Sequence, residues 1–123
     1  MTRVNLRQAT RDDVVALYGA PPRHTIQGIV GEVDGKVVGI GALVYQHGSP
    51  PMIMSYIPEP GRKYKVAMHR AARLLMERAE RQGHRMVFAL QDKTEATSSR
   101  WLRRLGFEPL EGDMWIWRRL SHT

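Results

Sequence analysis

A chain of 123 residues with a formal charge of +7, 42% hydrophobic and 25% charged residues has the make-up of one globular domain, residues 1–123, and not of a disordered segment. It has no cysteine, which excludes a disulfide scaffold, a cysteine nucleophile and a thiolate zinc site. No apolar run reaches the length of a membrane span, and the opening MTRVNLRQATRDD is polar where a signal peptide is apolar, so the expectation is a cytoplasmic protein without membrane contact.

Taken in chain order, Arg3 to Gln8 alternates Val4 and Leu6 with polar neighbours and predicts a strand. Thr10-Arg11-Asp12-Asp13 has the form of a capping box, opening a short helix that Gly19 and Pro21-Pro22 end. Gly19 to Gln27 reads as a loop. Ile29 to Val33 and Lys36 to Tyr45 flank Asp34-Gly35 and predict a hairpin. After the turn His47 to Pro51, Met52 to Ile57 is a further strand, closed by Pro58 and Pro60.

The longest helix is predicted from about Arg62 to Gln82, with Met68, Ala71, Ala72, Leu75, Met76 and Ala79 on one stripe and Gly83 as its stop. Arg85 to Leu90 follows as a buried strand, and a strand after a long crossover helix runs parallel to the one before it. Asp92 to Glu95 is a second capping-box candidate. It precedes a helix with Ser98, Trp101, Leu102 and Leu105 on one face and Gly106 at its end. The tail, Phe107 to Leu120, forms the last strand or a hairpin. The order β-α-β-β-β-α-β-α-β is an α/β fold with a mixed central sheet flanked by helices.

That order, with Trp101 to Pro109 (WLRRLGFEP) and Ile57 to Ala67 inside it, resembles the GNAT superfamily of acyl-CoA N-acyltransferases. Leu105-Gly106-Phe107-Glu108 stands where the family's last crossover helix turns into a strand. The short chain and the Trp101-Leu102 pair are similar to phage-encoded members, some of which are virion components. The family's cofactor loop reads Gln or Arg, two free positions, Gly, one free position, then Gly or Ala. Here Arg62-Lys63-Tyr64-Lys65-Val66-Ala67 keeps the Arg and the final Ala and has Lys65 in place of the Gly.

The resemblance implies acetyl-CoA as acyl donor, bound through Ile57, Arg62, Lys63, Tyr64, Lys65, Val66 and Ala67. Physically, amides from about Lys63 to Ala67 at a helix start favour an anion, and three basic side chains offset the bulk that replaces glycine. The plain alternative is a basic helix start with no ligand. The resemblance also implies a backbone donor at Ile57 that polarises the thioester carbonyl. Glu59 is the nearest acid to the loop and the candidate general base, with Glu32, His47 and Tyr45 as alternatives. Where the family often has a tyrosine to protonate the thiolate, this chain has Leu102.

The other candidates have bland readings. His24, His69 and His84 are taken as surface residues without metal-ligand spacing. Met52 and Met54 share a strand face with Tyr56 and read as core. Trp115 and Trp117 share another face and read as packing against a helix. Gly39-Ile40-Gly41 is too weak for a dinucleotide fingerprint and marks close packing of the first helix or a loop on the sheet.

Three functions stay open: an acetyl-CoA-dependent N-acetyltransferase acting on an unidentified small-molecule or protein amine, a catalytically inactive GNAT-fold binding or virion protein, and a basic nucleic-acid-binding domain. The last would need aromatics exposed among Arg100, Arg103, Arg104, Arg118 and Arg119. A homodimer is expected to form, if at all, through an edge strand near Trp115.

Overall fold

The computed structural model describes residues 3–21, 24–57, 61–91 and 98–119, with Arg62 and Ser98 described in backbone only. Seven strands form one mixed sheet: β1 (Asn5–Gln8), β2 (Thr25–Val33), β3 (Lys36–Tyr45), β4 (Met52–Tyr56), β5 (Met86–Leu90), β6 (Glu108–Glu111) and β7 (Met114–Arg118). Their spatial order is β1-β2-β3-β4-β5-β7-β6, and every pair is antiparallel except β4 and β5. The parallel step is the one predicted from the long crossover. The tail adds one more strand than the predicted order, because β6 and β7 form a hairpin, and β2 begins at Thr25 within the segment read as a loop.

Helix α1 (Arg11–Tyr18) starts with the capping box foreseen at Thr10. The Asp13 amide donates to Thr10 Oγ1 at 3.3 Å, and the Thr10 amide donates to Asp13 Oδ2 at 2.7 Å. Helix α2 (Lys65–Arg81) buries the whole predicted stripe, from Met68 to Ala79. It starts later than the sequence suggests because Gly61–Tyr64 is wound as a 3₁₀ turn. Helix α3 is Ser98–Arg104, and the capping candidate before it lies outside the described residues. The Asp34-Gly35 turn has both residues at positive φ, as a tight hairpin of right-handed strands requires.

The sheet has two unequal faces. On one, α2 and α3 bury Ile29, Leu43, Ile53, Val87, Ala89 and Trp115 in a single core. On the other, α1 packs Val14 on Val30 and Ile40. The glycines of β3 serve the first face: an added Cβ at Gly39 or Gly41 would meet Met68 or Leu75 of α2 within 3.2 to 3.3 Å. The close packing foreseen there is real, but its partner is the second helix and not the first.

Candidate cofactor and acyl-transfer site

The site begins where the sheet comes apart. Strand β4 pairs with β5 only at Met52 with Phe88 and Ile53 with Ala89, reinforced by the Phe88 amide donating to the Pro51 carbonyl at 3.0 Å. From Met54 to Tyr56, β4 stays registered with Ala42, Gly41 and Ile40 of β3 but has no partner on β5. Meanwhile β5 continues along β7, with Leu90 opposite Met114 and the Gln91 amide on the Asp113 carbonyl at 2.8 Å. The result is a wedge-shaped gap in which one edge of β4 keeps its backbone groups available. An extended ligand with its own amides can use such an edge as an added strand does.

The chain leaves the unpaired run at Ile57, and after the 3₁₀ turn it enters α2. A 3₁₀ turn closes its hydrogen bonds three residues back, and where it passes into α2 the amides of Val66 and Ala67 fall in the helix's first turn, whose N–H groups have no partner within the helix. No side chain caps this end, Tyr64 stands at the cap with φ −102° and ψ 26°, and the first turn contains no acidic residue. By contrast α1 caps itself and places Asp12 and Asp13 in its first turn. The start of α2 therefore has the amides, the dipole and the charge that an anion requires.

Around it, Lys63 Nζ lies 5.2 Å from the centroid of the Tyr64 ring, and Val66 is 80% exposed. Lys65 and Ala67 are half-buried. The side chain of Arg62 and the whole of Glu59 lie outside the described residues.

The alternative bases are committed elsewhere. Glu32 accepts from Arg7 Nε at 2.9 Å, and Arg7 also grips Asp13 through both terminal nitrogens at 2.7 and 2.9 Å. Those two carboxylates raise the Arg7 pKa, and Arg7 holds Asp13 well below the usual carboxylate range. Tyr45 lies beyond the closed end of the gap, past the Val44–Met52 pair. Its hydroxyl sits 2.8 Å from Gln82 Oε1 and 3.2 Å from Gln27 Oε1, and burial raises its pKa. His47, in the turn between β3 and β4, is exposed at that same end.

Leu102 is 3% exposed and part of the core, so it has no role in proton transfer. Trp115 is buried and Trp117 half-buried. Both pack against the α3 side, Arg103 lying 5.2 Å from the Trp115 ring centroid, as the sequence suggested.

Two readings need correction. His69 is half-buried and not a plain surface residue: its Nδ1 is buried without a hydrogen-bond partner, and its ring meets Trp101 of α3 edge-on at 5.6 Å. Burial lowers its pKa, helped by Arg73 and Arg104. The helix phase of α2 gave no warning, because Trp101 arrives from a distant part of the chain. Nor are Met54 and Tyr56 core residues: they are 45% and 38% exposed. Alternation along β4 gave the shared face correctly but could not reveal that, among the described residues, only Tyr18 at the end of α1 reaches it.

Among the described residues, no group of three or more His, Asp or Glu is placed to hold a metal ion, and no helix is long and apolar enough to cross a membrane. Two surface depressions, of about 580 and 530 Å³, lie at the C-terminal end of α2, away from its start.

No protein-family model and no curated protein matches the chain. Solved structures do match, nearly from end to end. A proposed acetyltransferase from Acinetobacter baylyi ADP1 superposes with a TM-score of 0.71 at 15% identity, over 97% of this chain and 94% of that one. An acetyltransferase from Bacillus subtilis in complex with CoA gives 0.66 at 13% identity, over 98% and 100%. The aminoglycoside acetyltransferase AAC(6')-Ib in complex with coenzyme A gives 0.65 at 13% identity, over 95% of each. The fold is that of the GNAT acetyltransferases, as the element order and the Leu-Gly-Phe-Glu turn suggested.

Proposed function

We propose that this chain is an acetyl-CoA-dependent N-acetyltransferase that acetylates an amine. One observation carries the reading: the unpaired edge of β4, Met54 to Ile57, leads through a single turn to the uncapped, acid-free start of α2. The two features are joined in the order in which a pantetheine arm joins a thioester to a pyrophosphate. The CoA bound in two structures of the same fold supports the choice of ligand.

Acetyl-CoA supplies the activated acyl group. On this reading the amides of Val66 and Ala67 donate to the pyrophosphate, with Lys63, Lys65 and Arg62 adding charge. Ile57, at the end of the free edge, presents its backbone N–H toward the acyl carbonyl. Proton removal from the amine falls to Glu59 or to water. With Leu102 in the core, water also protonates the departing thiolate.

A second reading, a GNAT-fold binding protein without catalysis, is favoured by that same buried leucine. The nucleic-acid reading loses its aromatics, since Trp101, Trp115 and Trp117 all pack in or against the core.

Calorimetric titration with acetyl-CoA, beside Lys65→Glu, tests the proposal. Micromolar binding that weakens about tenfold or more in the variant is expected. Absence of heat and of thermal stabilisation at millimolar acetyl-CoA would overturn it. Binding without transfer to any of a broad panel of amines would favour the non-catalytic reading.

A further inference from the structure

Among the described residues, no helix covers the second face of the sheet over β5 and β7. Helix α1 covers β2 and β3 there and reaches β4 only where the Tyr18 ring stacks on Tyr56, centroids 5.0 Å apart. Helices α2 and α3 both lie on the opposite face. Strand registers fix which side chains share this surface: Met54 and Tyr56 on β4, Met86 and Leu90 flanking the half-buried Phe88 on β5, and Ile116 on β7, which is 5% exposed. Every position of β4, β5 and β7 that faces this side is apolar or aromatic except Arg118, at one end. Leu90 is 58% exposed, and Met54, Tyr56 and Met86 are more than a third exposed.

Monomers seldom leave a contiguous apolar patch of more than a few hundred Å² in water. Side chains this large, this exposed and this contiguous offer several hundred Å², the scale of one partner's share of a standard interface at about 800 Å². Charge decides what covers it. Two copies of a +7 chain repel each other unless they meet through an uncharged surface, and this face is the broad uncharged one. An acidic protein or a nucleic acid would instead be drawn to the arginines of α2, α3 and the end of β7.

The edge strands offer no competing route near Trp115. Strand β7 is interior, and the true edge, β6, is four exposed residues including Pro109 and two glutamates, a combination that resists strand addition.

We infer that this face is the interface of a symmetric homodimer, with β4, β5 and β7 of two copies packed sheet on sheet about a twofold axis. The dimer does not depend on the acetyltransferase reading.

Sedimentation equilibrium of the full chain is expected to give twice its 14.1 kDa at micromolar concentrations. Leu90→Asp and Met54→Asp should each weaken association by roughly thirtyfold, whereas Leu74→Asp, an exposed leucine on α2, should not. In the unmodified protein, the methyl resonances of Met54 and Met86 should shift on dilution while that of buried Met68 stays fixed. A monomer across the concentration range overturns the inference. So does a dimer that survives both aspartate variants, or methyl signals of this face that ignore dilution. Because none of these readouts uses acetyl-CoA, failure of the dimer and failure of the enzymatic reading are separable.

Discussion

Met68 rests on Gly31: a Cβ added at that glycine would stand 2.9 Å from the Met68 sulfur. Gly39, registered opposite Gly31, leaves the neighbouring space, where an added Cβ would lie 3.2 Å from the same sulfur. The pair of glycines forms a notch across β2 and β3, and Met68, in the first turns of α2, fills it. The seat of that methionine sets how closely the start of α2 approaches the sheet. Gly31→Ala should therefore cost about 1–3 kcal/mol by overpacking and weaken acetyl-CoA binding, because the displaced residue lies directly after the cradle. In combination with Met68→Ala, which alone should cost about 2–5 kcal/mol, the penalties should be clearly less than additive. Chemical denaturation of the four proteins checks this.

Asp13 caps α1 and accepts both terminal nitrogens of Arg7, which in turn holds Glu32. Asp13→Ala should lower stability by about 1–2 kcal/mol at neutral pH. The folded-state pKa of Asp13 lies below its unfolded value, so its contribution is complete above the ordinary carboxylate range and is lost as pH falls through and below that range. The difference in melting temperature between the two proteins should accordingly shrink toward pH 2–3. A constant difference would mean that the carboxylate's charge is irrelevant.

His69 gives the opposite chemistry with the same direction. Its folded pKa is lowered, so the unfolded chain binds the proton more readily, and stability attributable to His69 falls as pH drops through the ordinary histidine range near 6.5. Imidazole NMR should show His69 titrating below the ordinary histidine value near 6.5. His69→Gln should flatten the acid limb of the stability profile.

Ile57 follows the last residue of the unpaired β4 edge. If its N–H polarises the acyl carbonyl, Ile57→Pro should reduce turnover about 10²–10³-fold, the usual cost of losing such a donor. Acetyl-CoA affinity, read by calorimetry, should change far less. Equal losses in both would assign Ile57 to ligand binding alone.

The sequence carried most of the fold because most of it is local. The Thr10 box, the Asp34-Gly35 turn, the stripe of α2 and the stops at Gly83 and Gly106 each follow from a few adjacent residues, and each element formed where they stand. What stayed hidden depended on neighbours remote in the chain. His69 became half-buried through Trp101. Glu32 became committed through Arg7. Met54 and Tyr56 became exposed because, among the described residues, no helix crosses their half of the sheet. The cradle was legible as a position but not as geometry, since nothing in GRKY announces that its first turn winds as 3₁₀ and so shifts the unsatisfied amides toward Ala67. Glu59 lies outside the described residues, and its role rests on the sequence alone.

The seam of two residue pairs between β4 and β5 has a consequence for how the molecule assembles. The strands on its left, β1 to β4, come from one continuous stretch that begins at Asn5, and those on its right, β5 to β7, from another that begins at Met86. Each stretch can fold back on itself through antiparallel neighbours, whereas the seam must wait for the loop containing α2 to close. The two halves thus meet late, along a contact only two pairs long, and amide exchange should be faster at Phe88, whose N–H bonds across the seam, than at Leu43 or Val30. The opening that admits a ligand is also where the finished protein parts first.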